Sequence, residues 1–78
     1  MTDSQLQRVS AIVAATFNVA EADVTPQSSP ETLDAWDSMG QLMLVLALEE
    51  DFGIQIPPES VERFSDVASI VKVISELT

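Results

Sequence analysis

The sequence of 78 residues contains no cysteine and no histidine. The absence of both excludes disulfide bonds and thiolate or imidazole metal ligands. It also excludes the Cys–His and Ser–His pairs that activate nucleophiles in many enzymes. These absences argue against an enzyme with its own nucleophilic centre and against a zinc site, so we expect neither catalytic residues nor a metal.

Basic residues are also scarce, because three lysines and arginines stand against thirteen acids, for a formal charge of −10. Nucleic-acid binding and attraction to anionic membranes need clustered positive charge, so we expect neither. The longest apolar run, residues 42–48, is far shorter than the roughly 20 residues that span a bilayer. No basic segment followed by an apolar run marks a signal peptide, and we therefore expect a cytoplasmic protein without membrane insertion.

Apolar residues nevertheless make up 46% of the chain. A disordered acidic tail would contain far fewer. We therefore expect residues 1–78 to form one small domain around a core, and to act as a monomer.

The spacing of apolar residues predicts helices. They should cover residues 4–17, 38–51 and 66–77, with a short helix over 58–64. Capping residues should begin them: Asp3 or Ser4 for the first, Asp37 or Ser38 for the second, and Ser65 for the last.

Residues 19–37 are interrupted by Pro26 and Pro30 and predict a long loop, with Val24 and Leu33 turned towards the core. A loop of this length in a small domain is usually functional or disordered. The predicted fold class is all-α: a small four-helix bundle of three main helices and one short helix, with the long loop between helices 1 and 2.

The second predicted helix has two apolar faces. On a projection of about 100° per residue from Ser38, a core face lies between about 180° and 340°; it contains Leu44, Val45, Ala47, Leu48 and Phe52. A second apolar face lies between about 40° and 140°; it contains Met39, Leu42, Met43 and Leu46. Glu49 and Glu50 lie at its distal end.

Two interpretations of this second face are open. The long loop, residues 19–37, could fold over it and complete the core. Alternatively, the face is exposed and binds a partner, since exposed apolar side chains bordered by charge mark interaction sites. Methionine suits a surface that adapts to several partners.

Ser38 also has two interpretations. A serine after an aspartate at a helix start is most often an N-cap. With no histidine in the chain and no base near it in sequence, Ser38 cannot be a self-activated nucleophile. A separate enzyme could still modify it, because backbone N–H groups and the helix dipole favour an anion such as a phosphodiester at this position.

The motifs around Ser38 resemble those of the acyl carrier protein family. Asp37-Ser38-Met39 begins a helix that ends in the run Leu-Ala-Leu-Glu-Glu-Asp-Phe-Gly-Ile, residues 46–54. Two prolines, a short predicted helix and the run Phe-Ser-Asp-Val, residues 64–67, follow. The resemblance covers nearly the whole chain, and these motifs together with the acidic composition are more specific than the triplet alone.

The resemblance implies that a phosphopantetheinyl transferase attaches phosphopantetheine to Ser38, beside Asp37. The thiol of this arm would carry acyl, polyketide or related groups as thioesters. Acyl-loading, synthase or transferase enzymes of fatty-acid or specialised biosynthesis would then be partners. They would bind the second apolar face and its two acids, since charge complementarity speeds encounter.

Three positions depart from the family pattern. Gly40 and Met43 stand where relatives commonly have an acid, and Trp36 stands where they often have glycine. These departures argue against housekeeping fatty-acid synthesis. Aminoacyl or peptidyl cargo and an unmodified acidic interaction module are the alternatives. A calcium site at Asp34 and Asp37 is a weaker one, because they lack the spacing of an EF-hand loop.

Overall fold

The computed structural model describes residues 3–78, with side chains from Ser4 onward. Within these residues the chain forms four α-helices: α1 (Asp3–Phe17), α2 (Ser38–Phe52), α3 (Pro58–Val61) and α4 (Val67–Leu77). A short 3-10 helix, Glu21–Asp23, interrupts the long loop. No strand occurs between residues 3 and 78. The predicted all-α bundle with three main helices and one short helix is therefore confirmed.

Local signals explain where α1 begins and ends. Asn18 has φ of 57° and ends α1, since asparagine tolerates the left-handed region. The Val19 N–H then donates to the Ala14 carbonyl at 3.0 Å, which satisfies one of the last free acceptors. The helix begins at Asp3, one residue earlier than predicted, so neither Asp3 nor Ser4 is its cap.

Two predictions about the C-terminal part of the chain are wrong. The cap of α4 is Asp66, whose Oδ1 accepts a hydrogen bond from the Ser69 N–H at 2.8 Å, rather than Ser65. Helix α3 ends at Val61 and not at Phe64. Phe64 turns into the core, where it is 4% exposed, and the turns that bring it there end the helix early.

The core lies between α1, α2 and α4. Its deepest side chains have no contact with solvent and come from all three helices: Val9, Val13, Leu44, Leu48, Val67, Ile70 and Ile74. Burial of each such side chain stabilises the fold by about 1.5–3 kcal/mol. The apolar periodicity of the three main helices therefore places their core faces correctly.

The long loop is fixed to the bundle rather than free. Val24 is buried, and Leu33 is half-buried against the core, as predicted. The carbonyls of Pro26 and Ser28 accept hydrogen bonds of 2.9 Å from the N–H groups of Ala68 and Val67. The loop therefore satisfies free donors in the first turn of α4.

Among the helices that the structure describes, none has the length and apolar character needed to span a membrane.

Candidate functional site

Ser38 is the first residue of α2 and lies just after its cap. The Asp37 Oδ1 accepts a hydrogen bond from the Gly40 N–H at 2.8 Å, and the Asp37 carbonyl accepts one from the Gln41 N–H at 2.7 Å. Asp37 is therefore the N-cap, and the interpretation of Ser38 as the cap is wrong. Ser38 is exposed, so its hydroxyl is accessible to a modifying enzyme.

The start of α2 is electrostatically suited to an attached anion. In the described part of the chain, the N–H groups of Ser38 and Met39 have no hydrogen-bond acceptor. Asp37 accepts instead from the N–H groups of Gly40 and Gln41. Free N–H groups and the positive end of the helix dipole favour a negative group at this position. A phosphodiester on Ser38 thus fits the residues that surround it.

Trp36 holds the end of the long loop against the helices. It is only 2% exposed, and its ring centroid lies 5.8 Å from that of Phe17 in α1. Its Nε1–H donates a hydrogen bond to the Gln41 Oε1 at 2.6 Å. Trp36 therefore anchors the end of the long loop to the core. Because it lies two residues before Ser38, it also fixes where the hydroxyl emerges.

Gln41 joins three segments beside Ser38. Its Oε1 accepts from Trp36 of the loop, while its Nε2 donates to the Val61 carbonyl at the end of α3, at 3.2 Å. Gln41 was not among the predicted site residues. It could have been found, because it lies one turn before Leu44 on the same side of the helix and is a polar residue among core residues.

A groove of about 500 Å³ opens next to Ser38. It is lined by residues from the loop, from the start of α2 and from the turn after α3: Pro30, Trp36, Asp37, Ser38, Gln41 and Phe64. The groove is thus formed where the long loop, α2 and the chain after α3 meet, and the candidate modification site lies on its edge.

The second apolar face of α2 is exposed. Its four residues are about half to two-thirds exposed: Met39 67%, Leu42 57%, Met43 51% and Leu46 57%. The long loop does not fold over this face, so the interpretation in which it completes the core is wrong. Leu44, Val45 and Leu48 of the opposite face are buried, as predicted.

The two acids at the distal end of that face have different surroundings. Glu49 is half-buried, and its Oε2 accepts a hydrogen bond from the N–H of buried Ile56 at 2.8 Å. Glu50 is exposed, and no hydrogen bond of its side chain occurs among the described residues. Glu49 therefore holds the extended segment after Gly53 against α2, whereas the charge of Glu50 faces solvent.

The described residues contain no cluster of three or more acids, histidines or cysteines that could hold a metal ion. Asp37, one of the two acids of the calcium alternative, already accepts the hydrogen bond that caps α2.

The fold and the site together define a small helical protein with an exposed serine at a helix start, beside a groove.

Comparisons with known proteins identify the class. Residues 7–74 match the family model described as a phosphopantetheine attachment site. An acyl carrier protein of Helicobacter pylori (strain G27) is 37% identical over 68 residues, which cover 87% of each chain. One from Thermosynechococcus vestitus is 39% identical over 71 residues, covering 90% of this chain and 86% of the relative.

The fold agrees with these matches. The solution structure of holo acyl carrier protein from Geobacter metallireducens superimposes with a TM-score of 0.84, covering 94% of this chain and 84% of the other. Its sequence identity is 20%, so this likeness concerns the fold alone.

The chain therefore belongs to the acyl carrier protein family. It is a carrier and not an enzyme, and its cofactor is a covalently attached phosphopantetheine. Members of the family interact with a phosphopantetheinyl transferase and with enzymes that handle acyl groups. When attached, the phosphopantetheine arm supplies a thiol that holds cargo as a thioester.

Proposed function

We propose that Ser38 is the residue to which a phosphopantetheinyl transferase attaches the arm, with Asp37 positioning it. The observation that supports this most strongly is the exposed hydroxyl of Ser38 at the first position of α2, beside N–H groups that have no acceptor within residues 3–78. Asp37 supports the attachment by capping the helix, which fixes the turn that presents Ser38.

We further propose that the loaded protein presents acyl, polyketide or related intermediates to loading, synthase or transferase enzymes of fatty-acid or specialised biosynthesis. Specialised biosynthesis is favoured, since Gly40 and Met43 replace acids that the family resemblance leads us to expect around Ser38. A cytoplasmic location, predicted from the sequence, is part of the same proposal.

Partner enzymes would dock on the exposed apolar face of α2, which flanks Ser38. A partner that reaches for the arm must approach over Met39 and Met43, and burial of such side chains favours binding. Glu50 and the net charge of the chain would attract basic partners. Glu49 would contribute charge from the same end, although its hydrogen bond to Ile56 limits its reach.

Mass spectrometry of the intact protein tests the attachment site. The apo protein is incubated with coenzyme A and a phosphopantetheinyl transferase of broad specificity. Wild type should gain the mass of one phosphopantetheine, and Ser38→Ala should gain none while its circular dichroism stays helical.

Ser65→Ala is the matched control, because Ser65 is also exposed and also lies close to a helix start. It should be modified like wild type. A mass gain that persists in Ser38→Ala would show that the arm is attached elsewhere.

A further inference from the structure

We infer that the groove beside Ser38 is the binding site of the phosphopantetheine arm, and that Gln41 is the polar residue that contacts the amide groups of the arm. This inference rests on the proposed attachment at Ser38. It goes further because it gives the arm a defined path over the protein surface, between the long loop and the turn after α3, instead of free motion in solvent.

The position of the groove favours the arm over other occupants. Ser38 and Asp37 form part of its lining, so a group attached to the Ser38 hydroxyl begins at its edge. The groove has a volume of about 500 Å³ and is largely open to solvent, so an attached group can enter it without any movement of the chain. Occupancy by an attached group also requires no second molecule, which removes most of the entropic cost of association.

The walls of the groove are held in place before any ligand is bound. Trp36 and Phe64 are 2% and 4% exposed, so the core fixes their rings and little of either is accessible from the groove. The hydrogen bond from Gln41 to the Val61 carbonyl ties α2 to the end of α3. A preformed site of this kind loses little conformational entropy when it is occupied.

Gln41 has unused hydrogen-bonding capacity on the groove. A glutamine side chain offers two N–H donors and an oxygen with two lone pairs. Trp36 takes one lone pair and Val61 takes one N–H, which leaves one donor and one acceptor. The arm contains amide groups, each of which has an N–H that donates and a carbonyl that accepts. Met39 and Met43, on the second apolar face of α2, have apolar side chains that offer a partner to neither.

Nuclear magnetic resonance of apo and holo protein tests this placement, because Trp36 is the only tryptophan in the chain and gives a single indole N–H signal. On attachment, the indole N–H of Trp36 and the side-chain amide of Gln41 should shift. Nuclear Overhauser effects should connect the methyl groups of the arm to the rings of Trp36 and Phe64. The amide protons of the arm should exchange several-fold more slowly than those of free pantetheine.

The variant Gln41→Glu tests the contact with the arm. A glutamate retains an acceptor for the Trp36 indole but has no donor, either for the arm or for the Val61 carbonyl. The Val61 and Phe64 signals of the apo variant therefore report separately whether the wall of the groove has moved. Holo Gln41→Glu should remain folded, with the indole signal still hydrogen-bonded, yet lose the slow exchange of the arm amides. Gln7→Glu adds the same charge on an exposed position of α1 and should behave like wild type.

The outcomes separate the two proposals. No mass gain, or a gain outside Ser38, overturns the proposed function and this inference with it. A gain at Ser38 without Overhauser effects, and with arm amides that exchange as in free pantetheine, overturns the inference alone. Contacts to Trp36 and Phe64 that appear only when the thiol carries an octanoyl group would make the groove a cargo site, which also overturns it.

Discussion

Gly40 in α2 lies so close to the carbonyl oxygen of Ala35 that a Cβ atom at residue 40 would overlap that oxygen. The same Cβ would lie 2.9 Å from the Cε1 of Phe17. The absence of a side chain therefore lets the loop pass directly over the first turn of α2. This close approach lets Trp36 pack into the core and places Ser38 at the edge of the groove.

Gly40→Ala should therefore destabilise the protein. Overpacking costs about 1–3 kcal/mol, whereas the gain from replacing glycine by alanine in a helix is about 1 kcal/mol. Because one obstacle is backbone, which yields less readily than a side chain, we expect a net loss in urea unfolding and greater solvent exposure of Trp36 by fluorescence. Gln7→Ala, on the exposed side of α1, should change stability little. A Gly40→Ala protein more stable than wild type would contradict the packing described above.

Glu49→Ala should cost stability that Glu50→Ala does not. Loss of the Glu49 carboxylate leaves the N–H of buried Ile56 without its acceptor, and an unsatisfied buried donor costs about 1–3 kcal/mol. Glu50 is exposed, and its replacement should change the unfolding free energy by no more than about 0.5 kcal/mol. Thermal melts of the two variants, which lose the same charge, decide the point. Equal melting temperatures would show that the hydrogen bond contributes nothing.

Met43→Glu should leave the fold intact but weaken binding to the native partner enzymes. Met43 is 51% exposed, and an exposed helix position tolerates glutamate. The replacement removes from the second apolar face of α2 a side chain whose burial against a partner would favour binding by up to about 1.5–3 kcal/mol. Modification by a broad transferase should change little. The measurements are a melting temperature and an activity assay with the cognate enzymes.

Leu44→Glu is the control for the opposite face, since Leu44 is fully buried and a charge there should unfold the protein. An unfolded Met43→Glu protein would be incompatible with an exposed docking face. A folded variant with full activity towards its partners would be equally incompatible with a docking role.

The ion pair between Arg63 and Glu76 should make part of the stability depend on pH. Arg63 donates to both carboxylate oxygens of Glu76, at 2.8 and 3.0 Å, and these hydrogen bonds hold the pKa of Glu76 below its ordinary value. Around the ordinary glutamate pKa of about 4.3, the folded state therefore binds fewer protons than the unfolded state. The stabilisation is complete above that pH and is lost as pH falls through the lowered pKa.

Melting temperatures measured from about pH 6 down to about pH 3 should show this dependence. Glu76→Gln should melt below Glu62→Gln near neutral pH, and the two should converge in acid. Glu62 is exposed and forms no ion pair among the described residues, so its variant corrects for the removal of one negative charge. The effect should be small, because the pair is about half exposed. A difference that is constant over this pH range would argue against the lowered pKa.

Much of the architecture follows from interactions between residues that are close in sequence. Apolar residues at helical spacing place α1, α2 and α4 with their core faces, since one turn of helix brings neighbours three and four residues apart onto one side. Asn18 and Gly53 end helices because their own backbones accept the left-handed region. The start of α2 at Ser38 is equally local, because Asp37 caps a donor three residues away.

Contacts between segments distant in sequence decided the remaining features. Phe64 shortens α3, because the core takes in a ring that the local pattern assigned to a helix. The exposure of the second face of α2 depends on the path of the loop, which Trp36 fixes through Phe17 and Gln41. The hydrogen bond between Glu49 and the Ile56 N–H forms because the chain turns at Gly53 and places the extended segment beside α2. Periodicity shows which side of a helix is apolar, but only packing determines what covers that side, since distant segments compete for it.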